Sequence, residues 1–234
     1  MENEISGARL GGLKAAASAH PGSVSPAVAL AFFAIGTFLM ALLYWNELLL
    51  FAVIIVFTIV HLAYGKWKRL KRFIMAMLVG GACENMAVIL GAWGYSNAHY
   101  LPVPLWLPVG WGLAALLLDE ALPGAEGLHF SWKAPAAAFA GTFLTGLTFG
   151  SEPLTLLSFT AAIAGFFVME HLKKDELAAG LAAAALGTAM ESINIIAGNW
   201  HYTAARFGTP LWLPLCWFSA FLIMRRVMRF GENQ

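Results

Sequence analysis

The chain has 234 residues, 60% of them hydrophobic and 12% charged, with a formal net charge of +1 and a mean hydropathy of +0.72. Soluble domains carry about half apolar and roughly a quarter charged residues, so a water-solvated globular domain is excluded. Lipid must be the solvent for most of this surface.

Taken in chain order, residues 1–27 read as a lead-in soft in Gly, Ala and Ser, without the basic-apolar-cleavage order of a signal peptide. Apolar runs and their punctuation then predict transmembrane helices at 28–46, 48–64, 73–95, 104–121, 134–150, 154–171, 177–199 and 210–228. Each is near the ~20 residues that cross a bilayer. Thirteen of the 14 Lys and Arg residues, from Arg9 and Lys14 through the Lys66–Arg72 cluster to Arg225, Arg226 and Arg229, fall on one side, and Arg206 alone falls on the other. The bias puts both termini in the cytoplasm, with the protein in the cell membrane.

The halves repeat. Gly36-Thr37-Phe38-Leu39 and Glu47 recur 105 residues later as Gly141-Thr142-Phe143-Leu144 and Glu152. Glu84, Gly91, Trp93 and Tyr95 recur at an offset of 107 as Glu191, Gly198, Trp200 and Tyr202. Pro104-Leu105-Trp106-Leu107-Pro108 and Trp111 recur at 106 as Pro210-Leu211-Trp212-Leu213-Pro214 and Trp217. The fold expected is an all-α polytopic membrane protein with about eight transmembrane helices in two tandem parallel four-helix repeats, 28–121 and 134–228, within one membrane domain. An even number of spans per repeat gives both copies the same orientation.

Glu84 and Glu191 are the candidate reactive residues. A carboxyl at mid-membrane costs several kcal/mol unless it is neutralised, paired or wetted, and such acids are functional-site candidates by default. At ~100° per residue, a continuous helix would carry Glu84, Gly91 and Tyr95 on one face, and Glu191, Gly198 and Tyr202 on another. Gly91 and Gly198 would let a ligand approach. Trp93, Trp106 and Trp111, with their copies Trp200, Trp212 and Trp217, would roof a cavity, although an interfacial aromatic belt accounts for much of that signal. The bland alternative for the acids is cross-helix hydrogen bonding that fixes packing.

Glu47 and Glu152 read as solvated turn residues, and Asp119-Glu120 and Glu170-His171 as helix ends at a wetted interface. Cys83 and Cys216 read as buried apolar thiols. No metal-ligand spacing, phosphate loop, dinucleotide fingerprint or nucleic-acid motif occurs, so neither a metal nor another cofactor is expected, and nucleic acid is not a partner.

The run Glu84-Asn85, Val88, Gly91, Trp93, Tyr95 resembles the acid-Asn, Val, Gly, Trp, Tyr pattern of membrane-bound lycopene cyclases of the heterodimeric or fused type. The following Pro and Trp are similar to the related carotenoid hydratases. Where the cyclases carry a Pro and paired acids, this chain has Trp106, Leu107 and Pro108. The resemblance implies an integral membrane enzyme acting on a carotenoid-like or isoprenoid lipid. A protonated Glu84 or Glu191 would donate to a double bond and aromatic faces would steady the cation, giving hydration, cyclisation or isomerisation without a cofactor. Two other readings stand beside it. One is a small-solute transporter or binder with its site at the repeat interface. The other is a non-catalytic subunit packing in a larger membrane complex or homo-oligomer.

Overall fold

The computed structural model describes residues 24–63, 67–122, 128–170, 172–203, 205 and 208–232, with residues 67, 68, 162 and 166–170 described by backbone alone. Most of the expected lead-in, with Arg9 and Lys14, lies outside the described residues, as do Lys66, His171 and Arg206.

Eight α-helices are found among the described residues: α1 (Pro26–Leu43), α2 (Glu47–Ala63), α3 (Trp67–Ile89), α4 (Trp106–Ala121), α5 (Lys133–Thr148), α6 (Glu152–Glu170), α7 (Lys174–Ala197) and α8 (Leu213–Val227). Local signals set several starts. Ser25 accepts the Val28 amide at 3.3 Å with Pro26 beginning the helix. Asn46 accepts the Leu49 amide at 3.0 Å, and the Glu176 carboxylate reaches back to the Lys173 amide at 3.2 Å. Each is an oxygen capping an otherwise orphaned amide.

α1, α7 and the Arg69–Ile89 part of α3 are long and apolar enough to cross a membrane. Phe38, Leu42, Val56, Ile59, Ile89, Leu144, Leu157, Leu181 and Ile196 are all exposed. So much outward apolar surface fits a lipid-facing exterior and not an aqueous one. The chain is an integral membrane protein of all-helical class.

Packing is paired between the halves. α1 lies against α2, α4 and α7, and α5 lies against the corresponding α6, α8 and α3. α3 packs on α4 and α7 on α8, while α4 and α8 meet centrally. There Trp111 and Trp217 stack at 5.5 Å and 19°. The core follows these two helices, with Leu113, Leu116, Leu117 and Leu118 from α4 and Leu213, Phe221 and Leu222 from α8 buried.

The third and seventh predicted spans ran to 95 and 199, but the helices stop at Ile89 and Ala197. Gly91 and Gly198, at φ 79° and 86°, turn the chain in the left-handed conformation that glycine adopts without penalty. Two short strands follow, β1 (Trp93–Tyr95) and β2 (Trp200–Tyr202), one from each half. They pair antiparallel with Trp93 opposite Tyr202, Gly94 opposite His201 and Tyr95 opposite Trp200. The Ser96 hydroxyl donates to the Gly198 carbonyl at 2.6 Å, and the Thr203 hydroxyl donates to the Gly91 carbonyl at 2.7 Å. The face shared by Glu84, Gly91 and Tyr95 on one continuous helix is therefore not formed. Apolar periodicity cannot see a reversal set by one glycine.

At matched positions the helix pairs use complementary residues in opposite order. Arg69 of α3 pairs with Glu120 of α4 at 2.6 Å, whereas Glu176 of α7 pairs with Arg226 of α8 at 2.8 Å. Gly112 of α4 receives Phe73 of α3, and Gly180 of α7 receives Phe218 of α8, a Cβ at either glycine falling 2.7 Å from the ring. Pairing α3 with α8 would set Arg against Arg and Phe against Phe. Like charges and overfilled contacts disfavour that exchange, so each half selects its own partner helix.

Candidate functional site

The turn at each glycine folds the strand back over the acid that precedes it. Glu84 Oε1 accepts the Trp93 indole N–H at 2.5 Å and the Tyr95 hydroxyl at 2.6 Å, and Oε2 accepts the Trp111 indole at 3.0 Å. Glu191 repeats the arrangement: Oε2 accepts the Trp200 indole at 3.2 Å and the Tyr202 hydroxyl, and Oε1 accepts the Trp217 indole at 2.9 Å. Each carboxyl thus ties its own helix to a strand and to α4 or α8. The indoles of Trp111 and Trp217 pack closely on Gly80 and Gly187, where a Cβ would collide with the side chain.

Both carboxyls line one central cavity of ≈ 80 Å³, together with Trp93, Tyr95, Trp106, Trp111, Trp200, Tyr202, Trp217, Met40 and Met190. Trp212 does not line the cavity but meets the cavity residue Tyr202 edge-on at 5.2 Å. It stacks on Phe159 at 5.3 Å and meets Phe149 edge-on at 5.0 Å, so the expected aromatic roof includes Trp106 and not its copy. Gly91 and Gly198 are turn residues and do not line this cavity. Asn85, adjacent to the acid, donates to the Gly81 carbonyl of its own helix at 2.9 Å.

Other sequence readings change. Glu47 is 4% exposed and accepts the His99 and Leu105 amides at 2.9 and 2.7 Å. Glu152 accepts the Leu211 amide at 2.8 Å. These acids hold the Pro-Leu-Trp-Leu-Pro approaches to α4 and α8 and are not simply solvated. Asp119 is 5% exposed and is shared by Arg72, Arg225 and Arg229; Glu120 pairs with Arg69 and with His61, the latter at 3.1 Å. The wetted helix end is a closed ionic cluster. The Glu170 side chain lies outside the described ones.

Sequence reasoning missed a further cavity of ≈ 120 Å³ between α3, α5 and α8, lined by Cys83, Glu84, Ala138, Thr142, Thr145, Cys216, Ser219 and Ile223 among others. Its signal was available as a run of small residues on α5. Both cysteines are free and half-buried. No group of three or more His, Cys, Asp and Glu suited to a metal occurs among the described residues.

Two solved structures are similar to this chain. One is the mycobacterial Insig homologue MvINS from Mycobacterium vanbaalenii, 18% identical with a TM-score of 0.61, covering 71% of this chain and 96% of that one. The other is a cross-linked trimer of MvINS, 19% identical with the same TM-score and coverage. No family model matches the chain, and no curated protein matches it. The resemblance to carotenoid cyclases and hydratases is therefore corrected: the similar folds are Insig homologues. The acid, Gly, Trp and Tyr of that pattern have a local cause in this chain, since they build the turn and its hydrogen bonds. What the likeness gives is a fold, and it is that of the Insig homologue MvINS.

Proposed function

We propose that this chain is a non-catalytic membrane protein that holds the apolar part of a membrane lipid between its two halves and works among other membrane chains. The observation that carries the proposal is the state of the acids. Each carboxyl already receives three donors from within the fold. A general acid must place its proton within hydrogen-bond reach of the reacting atom. Here three of a carboxylate's roughly four acceptor sites are already taken by indole and phenol donors of the fold, so the acids serve better as anchors of the strand pair. The assembly part rests on the similar fold having been solved as a cross-linked trimer.

The reading keeps eight spans in two tandem units with both termini cytoplasmic. The convergence of Arg69, Arg72, Arg225 and Arg229 on Asp119 and Glu120 supports it, because it gathers basic helix ends at one face. Reporter fusions after Asn46, Ser96 and Ser151 should all report the outer face. A cytoplasmic signal at two of them would overturn the arrangement.

The functional reading itself is tested by mass analysis of lipid extracted from the purified protein. A bound, chemically unmodified membrane lipid is expected. A substrate and product pair differing by one water, or by isomerisation, would overturn it.

A further inference from the structure

The α3–α5–α8 cleft has a counterpart at the matched positions of the other half, between α1, α4 and α7. That counterpart holds only ≈ 40 Å³, against ≈ 120 Å³. The difference is written in side-chain size. Ala137 and Ala138 of the open cleft correspond to Phe32 and Phe33 of the closed one, and Thr145 corresponds to Met40. Cys83 corresponds to Met190, and Ser219 to Leu113. Gly141-Thr142 and Gly36-Thr37 are unchanged between the two. One of two equivalent clefts is thus plugged by its own side chains, and the other is left open at a cost in packing.

We propose that the open cleft binds one acyl chain of a membrane phospholipid, a proposal that rests on the lipid-holding reading above and names its site. The walls ask for an occupant without polar atoms. The Thr142 and Thr145 hydroxyls donate to the Ala138 and Gly141 carbonyls of their own helix at 2.8 and 2.6 Å. Ser219 donates to the Leu215 carbonyl at 2.9 Å, and the Glu84 oxygens are taken by Trp93, Tyr95 and Trp111. The opening faces the bilayer: Cys83, Gly141 and Ile223 are half-buried, and the neighbouring Phe139, Phe143 and Leu144 of α5 are exposed. The medium at that face is acyl chain. An apolar cavity of ~150 Å³ holds a benzene-sized group, so one stretch of a chain fits here. The cleft shares Glu84, Trp93, Trp111, Cys216 and Ala220 with the central cavity, so the chain's end points toward the aromatic centre.

The test uses the full chain in vesicles containing phosphatidylglycerol with a diazirine in mid-acyl chain. Photolabel should fall on residues 137–145 and 216–224 about tenfold more than on 32–40 and 110–117, the equivalent of ~1.4 kcal/mol of preference. Ala138→Phe, which installs the residue of the plugged cleft, should remove that excess, and Ala138→Ser should keep it. In detergent, added phosphatidylglycerol should slow N-ethylmaleimide alkylation of Cys83 and Cys216 several-fold in the unmutated protein, an arm that needs no variant to fold. Equal labelling of both clefts, or cysteine alkylation indifferent to the lipid, would overturn the proposal. Label concentrated instead on the central-cavity residues Tyr95, Trp106, Trp200 and Tyr202, which line neither cleft, would overturn this site while leaving the lipid-holding reading standing. A protein that retains no lipid at all would overturn both.

Discussion

Glu84→Leu and Glu191→Leu are each expected to lower stability by on the order of 3–9 kcal/mol, because each orphans three donors in the bilayer interior at about 1–3 kcal/mol apiece. Total stabilities are only about 5–15 kcal/mol, so either variant should be near unfolding at growth temperature. Thermal unfolding in detergent, followed by monodisperse yield, reads the effect. Glu→Gln distinguishes an anchor from a shape. The amide oxygen can still serve two donors, as Glu84 Oε1 serves Trp93 and Tyr95, but its NH₂ then meets the Trp111 indole N–H. A smaller loss of about 1–3 kcal/mol follows, from the two donors set against each other there. Variants with unchanged melting would show that the carboxyls anchor nothing.

The periodic signals carried the helices, and the matched Glu, Trp and Tyr positions led to the residues of the site. What the sequence hid was the direction of the chain after each acid. Trp93 and Tyr95 read as a helical continuation of Glu84, and in fact reach it by doubling back from a strand. Positive φ at Gly91 is a single-residue event, and a period of 3.6 averages over it. Glu47 was misread for a related reason: its partners are loop amides 52 and 58 residues away, a separation no local pattern reports. The open cleft left a trace in the small residues of α5, and Ala137 and Ala138 stand out most clearly against their counterparts Phe32 and Phe33.

The second large effect is at Asp119. Its Oδ1 accepts Arg225 Nε at 3.0 Å and Arg229 Nη2 at 3.1 Å, and its Oδ2 accepts Arg229 Nη2 at 2.9 Å and Arg72 Nη1 at 3.4 Å. Arg225 is fully buried and Arg229 is 3% exposed. Asp119→Ala therefore strands buried cations, which costs about 3–5 kcal/mol. Asp119 and Arg225 occupy matched positions, 106 residues apart, where α4 and α8 meet. A symmetric pair there would bring like charges together, and the two halves have opposite ones instead. The exchange Asp119→Arg with Arg225→Asp should recover a measurable part of the loss in a double-mutant cycle, though Arg229 and Arg72 would then face the wrong sign. An Asp119→Ala protein as stable as the parent would remove the ionic cluster from the account of stability.

The non-catalytic reading of the paired acids meets its most direct test in the lipid carried by two purified proteins, the parent and the double variant Glu84→Gln/Glu191→Gln, expressed in the same cells. Gln cannot exchange a proton, so any acid-catalysed conversion must stop in the variant. The same lipid species is expected in both, with at most less of it retained by the weakened variant. A precursor accumulating on the variant, with its hydrated or isomerised product on the parent alone, would contradict that reading.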